Sequence, residues 1–196
     1  MVKLGFVVED DAMRIVLESA NFQKFINDLG IISVGIFSAD GRDWFRYKND
    51  KIGSFINILK DKQADYIFFL MDKENDICIT YSKENISNYT DNQIDMIVDK
   101  AVESWFLADS STLSKVFNTD YYCAAPESND GLPFEKLRDD FMKYTGRGIS
   151  KRRNFHTKYL ISKGFSVVNA ANHNNCKSAN YFLQKLKNIA NNNNIN

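Results

Sequence analysis

Tyr66-Ile67-Phe68-Phe69-Leu70-Met71-Asp72 is the stretch on which the fold turns. Six apolar residues in succession suit a strand covered on both faces, the usual condition of a parallel sheet flanked by helices. The run stops at Asp72 and passes into a dense acidic loop, Asp72-Lys73-Glu74-Asn75-Asp76. Upstream, Leu4-Gly5-Phe6-Val7-Val8 has the same character and stops at Glu9-Asp10-Asp11, while Ile31 to Phe37 forms a further apolar run before a polar loop around Ala39-Asp40-Gly41-Arg42. Between these runs the period changes. Ile15, Phe22, Phe25, Ile26 and Leu29 recur mostly three and four apart, predicting an amphipathic helix that ends at Gly30; Ile52, Phe55, Ile56 and Leu59 predict a second. Strand, helix, strand, helix, strand is the order of an α/β protein with a mainly parallel sheet.

Beyond the acidic loop, Met96-Ile97-Val98 leads through Lys100-Ala101-Val102 to Glu103-Ser104-Trp105-Phe106-Leu107-Ala108-Asp109. Leu113, Val116 and Phe117 suggest a short helix capped by Ser110 or Ser111. A loop rich in Pro, Gly, Ser and Asn from Cys123 to Pro133 marks the main break. Helices then follow on Leu137, Phe141 and Tyr144 (ending at Gly146), on Phe155, Tyr159 and Leu160, and on Tyr181, Phe182, Leu186 and Ile189. The expected organisation is an α/β core over 1–122, a helical extension over 123–190 packed on it, and an Asn-rich tail over 191–196 left disordered by its composition.

The 196 residues include 25 Lys and Arg against 25 Asp and Glu, 44% are hydrophobic and 13% aromatic, which suffices for a packed core and argues against general disorder. Zero net charge excludes a uniformly basic coat for nucleic acid but leaves room for a local basic face. No apolar run approaches the roughly 20 residues that cross a bilayer, and the acids after Val8 spoil a secretory signal. Cys78, Cys123 and Cys176 are scattered and make no disulfide framework, so a reducing cytoplasm is the expected compartment. Cys78 and Cys123 read as buried small hydrophobes, and Trp44 and Trp105 as core. His173 and Cys176 have only half of a zinc-finger spacing.

Carboxylates are where chemistry is expected. Glu9-Asp10-Asp11 and Asp72-x-Glu74-x-Asp76 follow predicted parallel strands, and open α/β sheets bind ligands outside those strand ends. Carboxylates gathered there repel one another unless a hard divalent cation joins them. Asp72 and Glu74 are two residues apart, so on extended backbone both project to one side, a pair able to hold Mg²⁺ or Mn²⁺. Cations concentrate elsewhere: Arg147, Lys151, Arg152, Arg153, His156, Lys158 and Lys163 fall within 17 residues, interleaved with Phe155 and Tyr159, as a phosphate backbone requires. Lys151, expected to open a helix, is the preferred active-site cation.

Val8-Glu9, Asp72-x-Glu74, Glu103-Ser104-Trp105 and the late Lys177-Ser178-Ala179-x-x-Phe182-Leu183 segment resemble, in order, the Toprim-like proteins of bacterial defence loci. These include the RloB-like group and are similar to the Toprim domain of OLD-family nucleases. Asp10 stands where a Gly is usual, Met13 where relatives often keep an acid, and Glu74 where a second Asp is expected. The resemblance implies a Toprim-like, Rossmann-like sheet and Mg²⁺- or Mn²⁺-dependent phosphodiester chemistry on nucleic acid in antiphage defence. Glu9, Asp72, Glu74, Asp76 and Glu103 would hold metal, with Glu9, Asp72, Glu74, Glu103 and Lys151 catalytic. Arg147, Lys151, Arg152, Arg153 and Lys158 would meet nucleic acid, and an ATPase encoded nearby would be a partner. Two other readings fit parts of the pattern: a receiver-like Mg²⁺-binding module phosphorylated at Asp72, and an interaction subunit that keeps the fold without catalysis.

Overall fold

A computed structural model describes residues 1–128 and 131–193. Four strands, β1 (Val2–Val8), β2 (Ile31–Ser38), β3 (Tyr66–Asp72) and β4 (Gln93–Val98), form one all-parallel sheet in the order β2-β1-β3-β4. The α/β architecture expected from the apolar runs is therefore present, with helices on both faces and a helical C-terminal portion.

The helix predicted from Ile15 to Leu29 is two helices, α1 (Asp11–Glu18) and α2 (Ala20–Asp28). Ser19 breaks them: it is extended and its hydroxyl accepts from the Phe22 N–H. Both lie between β1 and β2, whereas α3 (Asp43–Arg46) and α4 (Asp50–Asp61) connect β2 to β3. After β3 come α5 (Ile79–Glu84), β4, α6 (Glu103–Ala108) and α7 (Ser110–Phe117). The cap of α7 is Asp109 rather than either serine, its carboxylate accepting from the Thr112 N–H at 3.0 Å. The C-terminal portion holds α8 (Pro133–Thr145), α9 (Arg153–Ser162), α10 (Val167–Ala171) and α11 (Lys177–Asn193). Helix α11 runs three residues into the Asn-rich tail; residues 194–196 of that tail lie outside the described residues, as do 129 and 130 of the Pro/Gly/Ser/Asn-rich loop.

Strand alternation divides the core. Leu4, Phe6, Val8, Phe68, Leu70, Met96 and Val98 face a large cluster shared with α1, α2 and the C-terminal helices, running from Val2 to Ala190. Val7, Ile67, Phe69, Met71 and Ile97 face a smaller one closed by Phe45, Ile52, Ile56 and Leu59. Gly5 makes that second contact possible, because a Cβ there would lie 2.7 Å from the Leu59 methyls. Trp105 is the hub of the first cluster, stacked on Phe182 at 5.7 Å with its indole N–H donating to Ser178 Oγ at 2.8 Å. It ties α6 to α11 and so fixes the helix that begins at Glu103. Two expectations need correction: Trp44 is 41% exposed with Lys51 over its ring, and Cys78 is exposed, its sulfur capping α5. Local apolarity drew both inward, but each sits on a helix or turn at the rim. Among the described residues no helix is long and apolar enough to cross a membrane.

Candidate active-site crevice

The connection out of β2 crosses to the far side of β1, so the chain changes direction between β1 and β3. That switch point is where an open α/β sheet leaves a crevice at its carboxyl edge. Glu9 directly follows β1 there and Asp72 ends β3. The Glu9 N–H donates to the Leu70 carbonyl at 2.9 Å and the Asp72 N–H donates to Glu9 Oε2 at 2.9 Å, so backbone and side chain lock the two strand ends together. Asp10 caps α1, its Oδ1 accepting from the Met13 N–H at 3.0 Å. Glu103 opens α6 and is buried.

Arg153 stands among these acids. The first residue of α9, it reaches Asp10 Oδ2 through Nη1 at 2.6 Å, Asp72 Oδ2 through Nη2 at 2.7 Å, and Glu103 Oε1 through Nε at 2.9 Å. One turn along α9, His156 Nε2 lies 3.2 Å from the same Glu103 oxygen. The packing of α9 against α1 delivers both side chains over the strand ends.

The environment separates the acids sharply. Burial works to raise the Glu103 pKa, but the His156 hydrogen bond and the Arg153 charge outweigh it and bring it down to about 2. Glu9 goes the other way, up to about 7, because burial and then the charges of Glu74 and Asp10 outweigh the Asp72 N–H and Arg153. Asp72 is also pushed well above the usual carboxylate range, chiefly by burial, against the pull of Arg153. Its Oδ1 is buried and has no hydrogen-bond partner. A buried carboxylate oxygen without a partner is costly.

Beside Asp72 and Glu103 lies a cavity of about 220 Å³, lined by these two and by Glu74, Lys100, Lys151 and Arg153 together with apolar Leu132 and Phe134. Glu74 and Lys100 rim it in left-handed conformation (φ +51° and +64°), joined by a Glu74 N–H donating to the Lys100 carbonyl at 2.7 Å.

The structure thus brings together Glu9, Asp72 and Glu103, with Glu74 and Lys151 at the wall. Lys151 does not open α9, which starts at Arg153. Asp76 is not in the crevice; its carboxylate meets Arg42, Arg46 Nη2 at 3.3 Å and Ser82 Oγ at 2.7 Å on the other side of the loop. Arg147, Lys151, Arg152 and Lys158 are exposed, whereas Arg153, expected among them as a nucleic-acid contact, is turned inward. Asp10 belongs to the acidic run expected at this edge but was given no role of its own, and His156 was counted only with the cations; the i, i+3 spacing of Arg153 and His156 was the available signal.

Among the described residues no group of three or more His, Cys, Asp or Glu side chains is arranged to hold a metal ion. A hard ion such as Mg²⁺ needs fewer, since it keeps several waters and takes one or two carboxylates plus substrate phosphate oxygens. Asp72, with its partnerless oxygen, and adjacent Glu9 fit that donor set.

No family model matches the chain and no curated protein matches it. Among solved structures it is similar to the C-terminal region of the Burkholderia pseudomallei OLD protein, at 12% identity and a TM-score of 0.39, over 97% of this chain and 99% of that one.

Proposed function

We propose that the crevice is a divalent-cation-dependent phosphodiester-cleaving site acting on nucleic acid. One observation carries this: Asp72 is fully buried, leaves Oδ1 unpartnered, lines a cavity, and is tied through its backbone N–H to a second carboxylate, Glu9. Asp72 and Glu9 would hold Mg²⁺ or Mn²⁺. A bound ion of this kind supplies Lewis-acid polarisation of a phosphate and a water made acidic enough to attack near neutral pH. In the metal-free chain burial raises the Glu9 carboxyl to about 7, and a bound cation would hold it ionised, as a ligand or as a base for water. Arg153 and Lys151 offer cations to the non-bridging oxygens. Glu103, kept ionised, orients Arg153 and is itself held by His156, which makes it a positioning residue more than a ligand. Glu74 at the rim is a further candidate donor once Arg42 releases it.

The resemblance of the Glu9, Asp72 and Glu103 motifs to the Toprim-like families adds antiphage defence, beside a partner ATPase in the cytoplasm, as the setting for this chemistry. Phosphorylation at Asp72 suits the geometry less well, since Oδ2 is held by Arg153.

The test pairs calorimetry with cleavage. Mn²⁺ should bind the native chain and bind Asp72→Asn much more weakly. Mg²⁺-dependent cleavage of single- or double-stranded DNA or RNA should fall roughly a hundred-fold or more in the same variant, as expected when several kcal/mol of charge stabilisation go. Cleavage indifferent to chelator, or full activity in Asp72→Asn, would overturn the assignment.

A further inference from the structure

All 25 acidic residues lie within residues 1–140, and the last 56 residues carry ten lysines and arginines with no Asp or Glu. Zero net charge therefore conceals a strongly polarised chain. Of the seven cations from Lys143 to Lys163, only Arg153 pairs with a carboxylate among the described residues. Arg147, Lys151, Arg152, Lys158 and Lys163 are exposed and available to an anion.

Arg147 lines a groove, and Arg152 and Lys163 stand beside two of its rings. Between α8 and α9 lies a cavity of about 590 Å³ lined by Val116, Phe141, Arg147, Ile149, Phe155 and Tyr159. Phe155 is 57% exposed and Tyr159 42%, well beyond what core aromatics show. Each ring has a cation beside it: the Arg152 guanidinium is 5.7 Å from the Phe155 centroid and Lys163 Nζ 5.3 Å from that of Tyr159. Exposed rings flanked by unpaired cations form a platform on which bases stack while phosphates meet the charges. Duplex base faces are already stacked on one another, so the platform selects unpaired bases. The wall of the groove is also the wall of the crevice, since Arg147 and Ser150 line the first while Lys151 and Arg153 line the second. Arg147 and Lys151 are at most roughly 14 Å apart along the backbone.

We propose that the α8–α9 groove binds single-stranded nucleic acid, stacking bases on Phe155 and Tyr159 with phosphates against Arg147, Lys151 and Arg152, and leads the strand into the acidic crevice. The direction of the strand rests on the phosphodiester reading of the crevice; binding in the groove does not.

Binding is measured with the full chain in EDTA, by anisotropy of short fluorescein-labelled oligothymidylate and oligouridylate and of a duplex of the same length. The single strands should bind more tightly than the duplex, with a log–log salt slope of about −2 for three displaced counterions. Phe155→Ala and Tyr159→Ala, both exposed and checked for folding by circular dichroism, should each weaken single-strand binding by roughly 5- to 100-fold and leave the duplex nearly unchanged. Equal single-strand affinity in both variants, tighter duplex binding, or no binding at all would overturn the groove assignment. Cleavage by the unmodified chain on adding Mg²⁺ is read separately: aromatic-dependent binding without cleavage sinks only the crevice reading, and cleavage with binding indifferent to both rings sinks only the groove.

Discussion

Asp72 and Asp76 stand four residues apart and both face arginine, yet their surroundings are opposites. Asp76 has every oxygen engaged, Oδ1 by Arg46 and Oδ2 by Arg42 and Ser82, so two guanidiniums and a hydroxyl serve one carboxylate. At Asp72 the ratio inverts, since the single guanidinium of Arg153 is shared with Asp10 and Glu103, and Asp72 Oδ1 is left over. The buried Glu127 sides with Asp76: its carboxylate accepts from the Lys177 and Ser178 N–H groups at 2.8 and 2.9 Å and closes the start of α11. Saturated carboxylates hold elements together, and an undersupplied cluster retains capacity for a ligand.

The largest effect should come from taking away the shared cation. Arg153→Ala would leave Asp10, Asp72 and Glu103 facing one another. It should cost roughly 2–4 kcal/mol at neutral pH, below the usual range for fully buried pairs because 32% of the arginine side chain meets solvent. Mn²⁺ should then raise the melting temperature of the variant more than that of the native chain, by replacing the missing charge. Asp76→Ala is the matched control, since it strands two arginines and should gain nothing extra from Mn²⁺. Equal metal response in the two variants would erase the distinction between the clusters.

Much of this was legible in the amino-acid order. Leu4 to Val8 and Tyr66 to Met71 read as strands because both faces are buried, and the acids that end them mark the carboxyl edge of the sheet. Strand β4 was fainter, since its first half, Gln93-Ile94-Asp95, is a half-exposed edge with polar side chains. The break at Ser19 was hidden because Ile15, Phe22 and Ile26, seven and four residues apart, keep a helical period across it. Placing Glu9 and Asp72 at one edge followed from the strands that they close, whereas Glu103 entered through the resemblance of its motif. Choosing Arg153 among its neighbours followed from neither, because all are long cations in one run and only the docking of α9 on α1 decides which turns inward. Asp76 shows the converse: nothing local distinguishes it from Glu74, and its partners come from α3 and α5.

Proton linkage separates the two clusters next. In the folded chain Glu9 holds its proton up to about 7, against an ordinary value of 4.5. The native state therefore binds more protons than the unfolded chain between those pH values, and stability is lost as pH rises through that window. The metal-free protein should weaken by on the order of 2–3 kcal/mol between pH 4.5 and 7.5 from this group, in concert with neighbouring Asp72. Glu9→Gln retains an oxygen for the Asp72 N–H and should flatten the slope in urea titrations across that range. A slope unchanged by the substitution would place the proton elsewhere.

Glu74 lies between the clusters, and the smallest effect is expected there. It pairs with Arg42 of the saturated cluster at 3.2 Å, and its charge is among those that raise Glu9 in the undersupplied one. Its side chain is 44% exposed, so Glu74→Gln should change stability by no more than about 0.5 kcal/mol, the usual yield of a solvent-screened pair. Removing the charge should nevertheless lower the Glu9 pKa, because one of the repulsions that favour the protonated form is gone. A carboxyl resonance followed by NMR titration would show Glu9 shifting to lower pH while the melting temperature stays put. If instead the melting temperature falls by several degrees with Glu9 unmoved, Glu74 belongs with Asp76 as a structural partner of Arg42 and has no part in the crevice.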